Sequence, residues 1–510
     1  MNYANLFLVT LPETALEIAA LLVLVVDLGF LRKSKLQTRV AAAAMLGVSG
    51  CCASLLALLV QPDTGLIAPG GDLLLSPFGY STAAQIAILG LTVLTLFLFI
   101  GEDFTRHAGE YVSVVLMAAT GGLLIAAAED LLVIFVGLEL LSLGLYILTA
   151  FAKRSGKSAE SAIKYYLFGG MSAAFLLFGF SYLYGITGST NLHQIMLGLY
   201  GPNSEHMAPL LYLALVMIAA GLGFKVAAVP FHLWAPDTYE GAPAPSAAFI
   251  ASVSKVASFA LLIGIGTAAM HVFDGAHGIM RVETHFYLGK EPVYLGFKSS
   301  WMLILTALSV ASMVLGNLAA LAQTSVRRLL AYSAIAHAGY ILLALAFFSY
   351  SARSAHAVLY YIITYGLTTV GAFGAVGVVE RVAGSDRMDS FLGLHKRNPA
   401  LAAVLLVLFL SLAGIPPLVG FWAKFNLFAA VLGVAHGWLP FALVAMAVGM
   451  SAVSLYYYLQ VLKRVYVMPA ADETPIKANA ITMGVLIVIA LGVLVLGCFP
   501  ALLQGWIDAF

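Results

Sequence analysis

Three lysines and one glutamate, Lys225, Lys255, Lys424 and Glu139, stand inside apolar runs rather than at their ends. At a rise of ~1.5 Å per residue, Lys255 comes ~18 Å into a helix that starts near Ala244, and Glu139 lies ~13 Å past Asp130. Neither depth lets a side chain reach water easily. Each such charge at the centre of a spanning helix opposes insertion by ~2.5–3.5 kcal/mol, so four together oppose it by roughly 10 kcal/mol. Pairing with one another or with Ser, Thr and Tyr would make them packing devices that fix helix contacts. Three lysines and a glutamate in one bundle point instead to an ion pathway. Desolvation favours the neutral forms of Lys and Glu, whereas an opposite charge favours the ions. A group balanced between the two can both accept and release a proton, which is what a relay needs.

Two of the lysines lie beside helix breakers. Lys225 precedes Pro230 in GLGFKVAAVPFHLWAPD, and Lys424 follows Pro416 and Pro417 in LAGIPPLVGFWAKF. Proline lacks an amide donor and clashes with the preceding turn, so both helices are expected to be discontinuous. Paired interrupted helices in the two halves of a transporter mark its ion site; an ordinary proline kink is the plainer account. Histidine is the next candidate because its unperturbed pKa lies nearest neutrality. His337 falls about nine residues past Arg328 in its helix, and His232 lies just past Pro230. Either could be a relay or a hydrogen-bonded packing residue. Glu160 and Lys164, spaced i,i+4 near a helix start, make either a weak surface pair or a proton entrance.

The elements that must position these groups follow from composition. The 510 residues are 62% hydrophobic and 10% charged, against about a quarter charged in soluble domains. Apolar windows of spanning length recur along the whole chain and predict an all-α integral membrane protein with about fourteen transmembrane helices. One polytopic domain, 1–510, is expected. Eighteen of the 25 Lys and Arg residues fall in loops after odd-numbered helices and only four in the opposite loops; Lys225, Lys255 and Lys424 belong to neither surface. By the positive-inside rule, both termini lie outside the cytoplasm. The stretch 271–299 is expected to be the longest irregular connection. The N-terminal apolar segment contains acids and lacks a basic leader, and is read as a retained first helix. Cys51, Cys52 and Cys498 lie in apolar segments and show neither a disulfide frame nor a metal motif. The net charge of +1 gives no reason to expect nucleic acid.

The segment FHLWAPDTYEGAPAPSAAFIASVSKVASF, with LELLSLGLYIL around Glu139 and PPLVGFWAKF around Lys424, carries a family resemblance over nearly the full length. The chain is similar to the antiporter-like membrane subunits of bacterial proton-pumping NADH:quinone oxidoreductase, respiratory complex I, and within them to the N type. Lys424 stands where M-type chains carry Glu, and the chain ends soon after its last helix, whereas L-type chains continue into a long lateral helix. The resemblance implies two inverted five-helix repeats, at 111–270 and 300–466, each with a discontinuous helix and a half-channel, joined by a polar axis. It also implies that Glu139 and Lys225 form the family's Glu–Lys pair, that Lys255 is the central connecting lysine and Lys424 the exit-side lysine, and that His337 fits the axis.

The implied activity is proton translocation coupled to electron transfer from NADH to quinone in partner subunits, so the chain would be part of an enzyme, a translocase, without redox chemistry of its own. No cofactor is expected in the chain. No GxGxxG follows a strand, and no Cys cluster can hold an iron–sulfur centre. NADH, FMN, iron–sulfur clusters and quinone would belong to partners. The implied neighbours are the other complex I membrane subunits, especially the M-type and the small K- and J-type subunits, with lipid around them in a bacterial cytoplasmic membrane. Two other readings compete: a subunit of a cation/proton antiporter without a redox driver, and a passive scaffold whose buried charges only specify packing.

Overall fold

A computed structural model of the chain describes residues 7–61, 66–67, 73–76, 79–199, 207–283, 293–347, 352–434, 437–470 and 474–509; within 269–283 and 293–298 only the backbone is described. In a bilayer every backbone polar group must be satisfied within the protein, and helices do this segment by segment. In chain order they are α1 (Leu11–Val25, continued by a π-helical turn Val26–Phe30), α2 (Leu36–Val60), α3 (Tyr80–Phe99), α4 (Ala108–Ala127), α5 (Leu131–Thr149), α6 (Gly156–Thr187), α7 (Leu192–Gly198), α8 (Ala208–Lys225), α9 (Trp234–Gly241), α10 (Ala244–Glu283) and α11 (Val293–Leu321). There follow α12 (Val326–Ala346), α13 (Ala352–Ala383), α14 (Leu394–Arg397), α15 (Pro399–Ala413), α16 (Val419–Val434), α17 (Trp438–Tyr466), α18 (Ala480–Cys498) and α19 (Pro500–Asp508). A small antiparallel hairpin pairs β1 (Leu66–Ile67) with β2 (Leu73–Leu75).

Twelve of these helices are long and apolar enough to cross a membrane singly. Adding α1 and the pair α15–α16 gives the fourteen spans expected from sequence. Their starts are set by side chains that bind free amides. Asp130 caps α5 through Leu132 N (2.8 Å), Ser325 caps α12 through Arg328 N (3.1 Å) and Asn398 caps α15 through Leu401 N (3.0 Å). Both proline-marked helices are interrupted: α8 stops at Lys225 and resumes as α9, and α15 stops at Ala413 and resumes as α16.

One expectation is corrected. Within 271–299 the backbone is helical to Glu283 and again from Val293, so α10 runs on and only 284–292 lies outside the described residues. No proline occurs between Pro245 and Pro292, and nothing before Glu283 stops the helix.

The interior is built on three helices. In α10 and α12, 94% of the spanning window is buried, and in α13 89%, whereas α6, α11, α17 and α18 are buried over only about a third or less. The innermost helices therefore carry Lys255, His337 and Tyr361, while the outer ones present apolar side chains to lipid. Close approach between helices relies on glycine, as expected where small residues replace a hydrophobic driving force. A Cβ on Gly121 in α4 would stand 2.5 Å from the Leu141 amide of α5. Gly121→Leu is accordingly expected to destabilise the bundle by about 1–3 kcal/mol through overpacking. Thermal denaturation in detergent checks this, with Gly170→Leu, where nothing lies within 4 Å, as the unaffected control.

Candidate functional site

The first break is organised around its lysine. Lys225 ends α8, is buried, and donates to the Ser142 hydroxyl of α5, which in turn donates to the Leu138 carbonyl. The break leaves the carbonyls of Lys225 and Val226, at and just past the end of α8, without the amides that a continuous helix would supply. Lys255, 3% exposed, takes one of them: its ammonium donates to Val226 O (2.9 Å) and, across the interior, to Ala334 O of α12 (3.0 Å). The carbonyl end of a helix carries the negative pole of its dipole, which suits a cation there. Lys255 thus sits on the residue next to Lys225 and reaches into the other half of the chain.

One turn beyond Ala334, α12 presents His337. Its Nδ1 lies 2.7 Å from the Tyr361 hydroxyl of α13, and its buried Nε2 has no hydrogen-bond partner among the described residues. The ring borders a cavity about the size of one water molecule, lined by Tyr361, Thr364, Tyr365, Thr368, Ser411 and Leu412. Leu412 leads to the last lysine. Lys424, in α16, donates to the carbonyls of Leu412 (3.1 Å) and Ala413 (2.9 Å) at the end of α15, and to Ser451 Oγ of α17 (2.8 Å). Its ammonium also lies 5.5 Å from the centre of the Tyr340 ring, within cation–π range. Asn317 bridges Tyr340 (3.0 Å) and Tyr457 (3.2 Å) behind it.

The structure therefore brings Lys225, Lys255, His337 and Lys424 into one buried series: Val226 follows Lys225, Ala334 lies one turn before His337, and Leu412 borders the His337 cavity and binds Lys424. Glu139 is placed differently. It lies within electrostatic range of Lys225 without touching it, one turn before Ser142, and it is only half-buried. Its face of α5 also bears the exposed Leu132, Val136, Leu143 and Ile147. His232 is buried in the first break, and its Nδ1 has no partner among the described residues. Glu160 is exposed and pairs with Lys164 (2.7 Å), which also binds Asp237 of α9 (2.8 Å). Lys164 is thus tied into a surface network. Ser142, Ser451, Tyr361 and Asn317 escaped the reading of the sequence, although α13 carries a visible polar stripe at helical spacing, Tyr361, Thr364, Tyr365 and Thr368.

Comparison with known proteins agrees with this architecture. The family described as NADH:quinone oxidoreductase/Mrp antiporter, transmembrane, matches residues 128–281 and 286–451. NADH-quinone oxidoreductase subunit N 2 of Acidobacterium capsulatum is 46% identical over 99% of each chain. A chain in respiratory complex I from Thermus thermophilus, solved with bound aureothin, is 32% identical, with a TM-score of 0.75 over 97% of this chain and 98% of that one. A chain of the Mrp complex from Dietzia superposes with a TM-score of 0.77 over 100% of this chain and 97% of that one, at 21% identity, which speaks to the fold alone. The chain therefore belongs to the NADH:quinone oxidoreductase/Mrp antiporter transmembrane family, and within it to the subunit N group.

Proposed function

We propose that this chain is a membrane-arm subunit of a bacterial NADH:quinone oxidoreductase, translocating protons across the cytoplasmic membrane while partner subunits carry electrons from NADH through FMN and iron–sulfur clusters to quinone. The observation that carries the reading is the continuous buried series Lys225, Lys255, His337, Lys424, in which two lysines rest on the carbonyl ends of interrupted helices. A passive scaffold has no need for three cations in its centre, since replacing buried charged groups by well-packed apolar residues is often neutral or stabilising. The antiporter reading uses the same pathway, but the 46% identity to a subunit N over the full chain favours the redox-driven machine.

In this mechanism Glu139 acts from the half-exposed face of α5, where a neighbouring M-, K- or J-type subunit can change its electrostatic surroundings. Moving negative charge away from Lys225 weakens that lysine's hold on its proton, which passes by way of Lys255 and His337 to Lys424. Ser142 keeps the Lys225 nitrogen in place in both protonation states. His232, Glu160 and Lys164 serve at most as auxiliary groups near the ends of the route. Proton pumping by reconstituted vesicles bearing Lys225→Ala tests the switch: fewer protons per electron at an unchanged uncoupled NADH oxidation rate is expected, and wild-type stoichiometry rules the switch out.

We further propose that 111–270 and 300–466 are inverted repeats. Supporting this, α5 and α12 are each capped at their start by a residue in an isolated antiparallel bridge, Asp130 with Asn191 and Ser325 with Arg387. Gly144 in α5 and Gly339 in α12 each pack on the preceding helix. The positive-inside pattern puts the two bridges on opposite sides of the membrane.

A further inference from the structure

Charged residues that the pathway leaves unused gather at one end of the bundle, around the short helix α9. Asp237 and Glu240 lie three residues apart on it, and each is held from two sides. From α6, Lys164 binds Asp237 (2.8 Å), Lys157 binds Glu240 (3.1 Å), and the Ser161 hydroxyl donates to the Asp237 carbonyl (2.9 Å). From the first turn of α12, Arg328 Nη1 donates to Asp237 Oδ1 (2.6 Å) and Glu240 Oε2 (3.0 Å). Its neighbour Arg327, 4% exposed, donates to the carbonyls of Glu240 (3.1 Å) and Ala242 at the end of α9 and pairs with Glu380 of α13 (3.2 Å). Two adjacent cations in the first turn of a helix oppose its own dipole. Nothing within α12 favours them there; their contacts with α9 do.

The grip matters because α9 is the second half of the interrupted helix. Trp234, its first residue, donates from Nε1 to the Phe224 carbonyl (2.9 Å), immediately before Lys225. Helix α12 carries the Ala334 carbonyl that holds Lys255, and then His337. One helix thus binds, at its start, the short helix α9 that follows the break beside Lys225, and carries the next stations along its length. We propose that Arg328 is a positioning residue that, through Asp237 and Glu240 on α9, holds the break beside Lys225 in register with α12 and so couples the two halves of the proton route. This rests on the relay reading above. The ion pairs are partly open to water, with Arg328 30% and Asp237 27% exposed, so they can open and reform, as a coupling contact must.

The test uses the intact complex in proteoliposomes. Arg328→Gln is expected to leave assembly and the uncoupled NADH:quinone rate unchanged while lowering protons per electron by about twofold or more, the range over which residues in coupling networks act. Both contacts of Arg328 leave from one nitrogen, so the compact ammonium of Arg328→Lys can reproduce them and should keep wild-type stoichiometry. Wild-type stoichiometry in Arg328→Gln, with only a lower denaturation temperature, would mark a purely structural contact and overturn the proposal. If Arg328→Gln does not assemble, Arg328→Lys decides alone: preserved stoichiometry supports the coupling, and a loss overturns it. Lys255→Ala run alongside separates the two levels. Normal pumping in that variant removes the relay itself, whereas a pumping defect there with none in Arg328→Gln removes only the role of Arg328.

Discussion

With Lys255 replaced by alanine, proton transfer through this chain is expected to fall by about 100-fold or more, the scale of a well-placed acid–base group. Lys255 bridges the two halves in the interior of the bundle: its ammonium touches Val226 O beside Lys225 and Ala334 O on the helix of His337. Remove it and the hydrogen-bonded link between Val226 O and Ala334 O is lost. Lys255→Arg sharpens the experiment, because guanidinium keeps the charge and the donors but does not release its proton. The arginine variant should assemble and still fail to carry protons. Protons translocated per electron, compared with the uncoupled NADH oxidation rate, report both variants; wild-type stoichiometry in either would exclude Lys255 from the route.

Lys424→Met is expected to act twice. The carbonyls of Leu412 and Ala413 close α15 without helical partners and depend on the lysine for their hydrogen bonds. Leaving a buried acceptor unsatisfied costs about 1–3 kcal/mol, so the methionine variant should denature at a lower temperature as well as lose proton output. Lys424→Gln separates these effects, since its amide can donate to one of the carbonyls yet cannot titrate. Stability should recover in part while transport does not. Recovery of both would show that Lys424 is needed only to complete the helix end.

Much of the site was legible because bilayer physics leaves few explanations for a buried charge. Lys225, Lys255 and Lys424 stood out against apolar surroundings, and Pro230, Pro416 and Pro417 marked both interruptions. The count of fourteen spans was legible for the same reason. What stayed hidden was contact made by backbone and by ordinary hydroxyls. Ser142 and Ser451 look like two among many small residues in apolar helices, and only the fold puts them under lysines. The direct pairing of Glu139 with Lys225 was expected from family resemblance. In this chain Glu139 lies on the outward face of α5, within electrostatic range of Lys225, and the lysine donates to Ser142 instead. The length of α10 was not legible, because charged and glycine residues break the apolar run after Ala268 although no proline stops the helix.

That Lys255 and Lys424 lean on main-chain oxygens changes how these positions tolerate mutation. Apart from Ser451 Oγ, their acceptors are the carbonyls of Val226, Ala334, Leu412 and Ala413, whose apolar side chains make none of these hydrogen bonds. Drift among apolar residues of similar size at those four positions should leave the cradles chemically intact, because every substitution short of proline, or one that moves the helix end, preserves the same oxygen. The lysines themselves have no such latitude, and a screen of single substitutions should find intolerance concentrated on the donors and largely missing from their acceptors.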